Sequence, residues 1–193
     1  MEAKSKRRVF GVATLAVIVL VIVLAVVLTG SSPDGGTEPE WSSTPEIYFV
    51  LPGAIERDAN FTVQVNISEV EVLWGAQFDV RYDYNVMTYV SADKGAVNGT
   101  PPDGLLAYLV GSGPDGEGLL RVLTKWDDYA AAHGGYGVNG SGSICELVFH
   151  AGPDMASTKL GFVEGQGDPP GELKIMRQYQ GKTYELQIVQ DDD

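Results

Sequence analysis

The sequence predicts an all-β domain, a two-sheet sandwich of about nine or ten short strands, preceded by one transmembrane helix. Three observations carry that prediction. Apolar residues recur at every second position through most of residues 46–190, the period of half-buried strands. Gly, Pro, Asn and Asp break these runs every few residues, leaving no helical-period segment longer than a turn or two. The stretch Val9–Leu28 contains no charged side chain.

At a rise of about 1.5 Å per residue, some twenty helical residues span roughly the 30 Å of a hydrocarbon core. Residues 9–29 are therefore read as a membrane helix. The basic residues Lys4, Lys6, Arg7 and Arg8 lie in the 1–8 segment before it, and none follows directly in Ser31-Ser32-Pro33-Asp34. The positive-inside rule then puts residues 1–8 in the cytoplasm and the rest of the chain outside, at the cell membrane. A cleaved signal peptide is the rival reading. Against it, the apolar run is long and the exit Val27-Leu28-Thr29-Gly30 lacks a small-x-small site. Residues 30–45, rich in Gly, Ser, Pro and Glu, read as a flexible linker. Trp41 in it fits either the membrane interface or the domain.

The domain, 46–190, follows strand by strand. Ile47–Val50 stops at Pro52-Gly53. Phe61–Ile67 alternates, with apolar residues at 61, 63, 65 and 67. Ala76–Tyr82 sets Ala76, Phe78, Val80 and Tyr82 against Gln77, Asp79 and Arg81, and Val86–Val90 follows. Leu105–Val110 and Leu119–Trp126 flank Gly111–Gly116 as a hairpin, one of three places where Pro-Asp-Gly marks a turn. Ala130–Ala132 has room for at most one helical turn. Ile144–Phe149, Lys159–Val163, Leu173–Arg177 and Thr183–Val189 complete the series, the last two joined by Gln180-Gly181, before an acidic tail at 191–193.

Charge narrows the function. The chain holds 13 basic and 26 acidic residues, and four of the basic and one of the acidic fall within residues 1–30. The remainder carries −16, a field that repels nucleic acid and anionic lipid. Cys145 is the single cysteine, so no intrachain disulfide forms, and its alternation with Leu147 and Phe149 marks it as a small buried hydrophobe. His133 and His150 have no ligand-spaced partner, and no nucleophile elbow, zincin or P-loop motif is present. The chain is read as no enzyme, with no cofactor. Asp127-Asp128, and the loop with Asp79 and Asp83, offer oxygen ligands that could hold a structural Ca²⁺, though without EF-hand spacing. Trp126, Tyr129 and Tyr136 lie in or beside one loop and are a candidate sugar-stacking strip. Asn60, Asn66, Asn98 and Asn139 each begin an Asn-x-Ser/Thr sequon, which suits glycosylation of an exterior domain.

The run Gly75-Ala76-Gln77-Phe78-Asp79-Val80-Arg81-Tyr82-Asp83-Tyr84-Asn85-Val86-Met87-Thr88-Tyr89-Val90 resembles the third-strand signature of cohesin domains, a strand F-x-[VLI]-x-Y-D running into P-N-V-L. Tyr84 stands where the family usually has proline; Asp83 and Asn85 can build the turn through side-chain bonds instead. Phe61–Ile67 is similar to the family's early valine strand. Leu119–Asp128, followed by Gly142–Phe149, is similar to its sixth-to-eighth-strand region, and the closing strand also fits.

The resemblance implies a nine-stranded jelly-roll sandwich over roughly 46–190 that binds a dockerin, a small calcium-loaded helical module, on another protein. In the family the dockerin lies on strands eight, three, six and five. Carried onto this chain, that implies partner contacts at Gly75, Gln77, Asp79 and Arg81 on strand three and Tyr108 on strand five. Arg121 and Lys125 follow on strand six, and Glu146 and His150 on strand eight; on strands five, six and eight a slip of one residue would reverse every side chain. The reading is a cell-surface, non-catalytic module tethering a dockerin-bearing protein in trans to the lipid bilayer; the family is best known from cellulase scaffolds, but a lone copy on a membrane stalk need not serve polysaccharide degradation. A carbohydrate-binding module, using Trp126, Tyr129 and Tyr136 on polysaccharide, and a structural or adhesive envelope protein are the alternatives.

Overall fold

A computed structural model describes residues 39–112, 116–153, 160–163, 173–186 and 189–190. The expected membrane helix 9–29, the linker up to residue 38 and the tail 191–193 lie outside the described residues. Among those described, no helix is long and apolar enough to cross a membrane. The chain divides into Met1–Glu40 and Trp41–Asp193, and the second unit is the β domain.

Its elements in chain order are β1 (Glu46–Val50), β2 (Asn60–Asp83), β3 (Met87–Lys94), β4 (Gly104–Ser112), β5 (Glu117–Lys125), α1 (Asp127–Ala132) and β6 (Val138–Ala151). There follow β7 (Leu160–Phe162), β8 (Leu173–Tyr179), β9 (Lys182–Leu186) and β10 (Val189–Gln190). The two segments expected as separate strands, 61–67 and 76–82, are one strand, β2, which serves both sheets. Its first half lies between β1 and β6 in a layer ordered β10-β1-β2-β6-β3. Its second half pairs with β5 on one edge and with β8 and then β7 on the other, giving β4-β5-β2-β8-β9.

The crossing is built at residues 68–74. Register slips between Ile67 and Val70 and again between Val70 and Leu73, and Glu69 (φ 45°) and Val72 (φ 51°) turn left-handed. Such irregularities kink a strand and sharpen its twist. A β-branched residue in that region costs about 1–2 kcal/mol, and neighbouring groups offset it. Asn139 Oδ1 accepts the Val72 N–H at 2.7 Å, and Ser141 Oγ accepts the Glu69 N–H at 2.8 Å. Gly137 is required here, since a Cβ would stand 2.2 Å from the Val72 carbonyl oxygen.

The bend also changes the phase of burial. Inward residues are odd before it (Phe61, Val63, Val65, Ile67) and even after it (Ala76, Phe78, Val80, Tyr82), and all eight are buried. They meet side chains of the facing layer: Tyr82 against Phe149 at 5.2 Å, and Phe162 between Phe49 (4.2 Å) and Phe78 (5.7 Å). Cys145 is in this core as expected, and burial pushes its thiol pKa far up.

Two local expectations are met in detail. Asp83 Oδ1 accepts the Asn85 N–H at 2.9 Å, building without proline the turn from β2 into β3. Gln180 (φ 49°) and Gly181 (φ 75°) form the two-residue link between β8 and β9, with the paired positive φ of a tight hairpin. One boundary moves. Residues 41–45 belong to the domain and not to a free linker. Trp41 packs edge-on against Tyr179 and Tyr184, and the Arg177 guanidinium lies 4.4 Å from its ring centre. Ser42 and Ser43 donate to the Glu71 carboxylate at the bend, and the Ser42 hydroxyl is the main cause of its lowered pKa.

Candidate partner-docking face

In an antiparallel sheet, residues opposite one another point to the same side. The outer side of the layer β4-β5-β2-β8 can therefore be read in rows. One row runs Tyr108–Arg121–Asp79, the next Leu106–Leu123–Gln77–Lys174, and the next Gly104–Lys125–Gly75–Met176; Arg81 lies opposite Leu119 at the other end. Seven of the nine residues expected to contact a partner share this one face: Gly75, Gln77, Asp79, Arg81, Tyr108, Arg121 and Lys125.

The centre of the face is a fixed ion pair. Arg121 Nε and Nη2 donate to the two carboxylate oxygens of Asp79, both at 2.8 Å. Asp79 is fully buried while the Arg121 side chain keeps 21% of its surface. A guanidinium fork matches a carboxylate in two places and locks both side chains flat on the sheet. Asp79 is thus a positioning group, and Arg121 presents the charge.

Two further pairs flank the centre. Arg81 meets Glu117 at 3.4 Å, and Lys125 is held by Asp127, whose hydrogen bond and charge raise the lysine pKa. The Lys125 stem lies over Gly104, where a Cβ would meet its carbons at 3.3 Å. Between these ions Leu106 is 57% and Tyr108 42% exposed, with Leu123 half-buried beside them. Exposed apolar groups beside a rigid central ion pair, with further paired charges at the margin, offer a protein partner both contact area and register. Sequence reasoning missed Leu106, Leu123, Lys174 and Met176. Leu106 was legible, since it shares the parity of Tyr108 on one strand.

Glu146 and His150 do not join this face. They lie on β6 in the other layer, where Gln64 Nε2 donates to Glu146 at 3.1 Å and the His150 ring contacts Asn60 and Asp58. The correction has a simple cause. The strand that borders β2 at 75–78 is β8, and the strongly alternating 144–149 segment pairs instead with the first half of β2 and with β3.

The aromatic strip is corrected too. Trp126 has no exposed surface, and its indole N–H donates to the Thr100 carbonyl at 3.1 Å, so it offers no face to a sugar ring. Tyr129 stacks on His133 at 3.9 Å, while Tyr136 stands edge-on to Tyr179 at 5.1 Å. α1, a little longer than the single turn expected, places Ala130 in the core just after Trp126. Three of the four carboxylates considered for calcium face other partners: Asp79 meets Arg121, Asp127 meets Lys125 and Asp83 accepts the Asn85 N–H. Among the described residues no group of three or more His, Cys, Asp or Glu is placed to hold an ion.

Comparison with known proteins agrees with this architecture. The family model described as "Cohesin domain" matches residues 53–182. A type I cohesin–dockerin complex from Clostridium thermocellum is similar over 77% of this chain and 94% of its own, with a TM-score of 0.57 at 14% identity. A type II cohesin domain from the cellulosome of Acetivibrio cellulolyticus is similar over 77% and 93%, with a TM-score of 0.54 at 17% identity. A non-cellulosomal cohesin from the archaeon Archaeoglobus fulgidus is similar over 77% and 86%, with a TM-score of 0.50 at 16% identity. At such identities the likeness is one of fold. No curated protein matches the chain.

Proposed function

The chain belongs to the cohesin domain family, whose members are non-catalytic protein-interaction modules, and from that premise we propose that it binds a dockerin through the outer face of β4-β5-β2-β8. The observation that carries this reading is the exposed pair Leu106 and Tyr108 beside the Arg121–Asp79 fork. Exposed apolar groups beside a rigid ion pair suit the packed side of a helical module. A dockerin is also the partner named in the complex from Clostridium thermocellum.

The proposal includes location. The uncharged run 9–28 behind four basic residues anchors the chain in the cell membrane, with its N-terminus inside and the domain displayed outside. The tether then holds a dockerin-bearing protein at the surface, and whatever reaction takes place there, such as polysaccharide degradation, belongs to the partner. Titration calorimetry of the full chain in detergent micelles, against each calcium-loaded dockerin encoded in the same genome, tests the binding. Saturable one-to-one binding to at least one of them is expected; no binding to any overturns the assignment.

A further inference from the structure

The four sequons noted in the sequence are not scattered over the domain. Asn60 and Asn66 lie on the first half of β2 and Asn139 on β6, all in the layer away from the docking face. Asn98 sits in the turn after β3, where its N–H bonds to the Ser141 carbonyl of β6 at 3.0 Å. No sequon falls on β4, β5, β8 or residues 75–83. We infer that this domain is N-glycosylated at Asn60, Asn98 and Asn139 and not at Asn66, so that sugar coats one layer and leaves the docking face bare.

The environments of the four asparagines separate them. Asn60 is the exposed first residue of β2, Asn98 is exposed with a turn φ of 47°, and Asn139 is exposed at the start of β6. Asn139 holds the β2 bend through Oδ1 alone, since that oxygen accepts the Val72 N–H. Its Nδ2, the atom a glycan occupies, takes no part in that bond, so the modification and the bend are compatible. Asn66 differs. It lies within the first half of β2 between Tyr48 and Ser143, is half-buried, and its Oδ1 is sealed from solvent. A sugar there would have to grow from a half-buried amide whose oxygen its neighbours already close off.

The chemistry is transfer of a sugar from a lipid-linked pyrophosphate donor. A bond forms between Nδ2 and the anomeric carbon, the bond from that carbon to phosphate breaks, the lipid pyrophosphate leaves, and one amide proton goes to solvent. A glycan on Asn60 would stand beside His150, whose ring contacts Asn60 Oδ1 at 3.0 Å. Sugar and a partner protein therefore compete for that side of the domain, and the partner is left with the other.

The inference rests on the proposed exterior placement, and the test separates the two. Intact cells are labelled with a membrane-impermeant amine reagent, which reads the exposed Lys94 and Lys182, neither of them in the proposed contact rows. The full chain is then isolated and its asparagines are mapped by mass spectrometry after amidase release in heavy-oxygen water. Label on the lysines with heavy aspartate at 60, 98 and 139, and none at 66, is the expected result. Labelled lysines with all three asparagines unmodified, or with Asn66 modified, overturn the glycan assignment and leave the placement standing. Unlabelled lysines overturn the placement and the glycan assignment together. As a second readout, N98Q and N139Q should each gain one step in gel mobility, whereas N66Q should not move.

Discussion

Replacing Arg121 by Met isolates what the ion pair at the centre of the docking face contributes. Asp79 has no exposed surface, and Arg121 reaches it with two hydrogen bonds of 2.8 Å. Two unit charges about 4 Å apart attract by about 4 kcal/mol at an effective dielectric constant near 20. Removing one member of such a pair strands the other in a poorly solvated site, which costs about 3–5 kcal/mol. Water reaching the partly exposed arginine position puts the expected loss near the lower end, about 3 kcal/mol. With a urea slope of about 2 kcal/mol per molar, that moves the unfolding midpoint down by roughly 1.5 M. The reference is Arg81→Met, which removes the pair with Glu117 whose side chains are 53% and 50% exposed. Screening there limits the loss to about 0–1 kcal/mol. The double variant Asp79→Leu/Arg121→Met removes both charges and should recover most of the stability. The reasoning fails if Arg121→Met unfolds at the same urea concentration as Arg81→Met, or if the double variant is the weaker of the two buried-site variants.

Leu106→Asp should weaken dockerin binding at least about a hundredfold, the loss of a hot-spot contact of about 3 kcal/mol. Glu146→Ala and His150→Ala should leave the affinity within about twofold, and calorimetry on all three compares the two layers directly. Trp41→Ala removes the ring beneath Arg177 and two edge contacts, so a loss of about 1–2 kcal/mol is expected in a urea melt. An unchanged midpoint would return residues 41–45 to the linker. Cys145 should resist an aromatic disulfide reagent at pH 8 until the domain is unfolded in urea. Because burial raises the thiol pKa in the folded state, its contribution to stability is fully present below about pH 8.5. It is lost as pH rises toward the folded-state value. The urea midpoint of the wild-type domain should therefore fall above that pH more steeply than that of Cys145→Ala.

The strands were legible because burial on one face of a sheet leaves a mark at every second residue. Phe61, Val63 and Val65, and later Phe78 and Val80, carry that mark plainly. The outward placing of Gln77, Arg81 and Arg121 followed from it, since positions opposite in parity to the core face out; the proposed partner contact at these positions came only from the likeness to cohesin domains. The error at Glu146 and His150 came from the same source. Alternation says that 144–149 is a strand and says nothing about its neighbour. Trp126 failed for a related reason: it follows a strand and precedes a Gly-rich loop, a place where aromatics are often exposed, yet Thr100 and the loop after β3 close over it.

Taken alone, the amino-acid order determined the class of fold, the inward parity of Phe61–Ile67 and Ala76–Tyr82, the turns at Asp83–Asn85 and Gln180-Gly181, and the burial of Cys145. These are local matters, settled by side-chain period and by the φ values that Gly, Asn and Asp permit. Only the tertiary structure decided that 60–83 is one strand shared by two sheets, which strand borders 75–78, and therefore which charges share a face. Strand pairing joins residues far apart in the chain, as Gln77 meets Leu123 and Lys174. The free energy that selects such neighbours comes from packing the whole sandwich, and no short run of residues contains it.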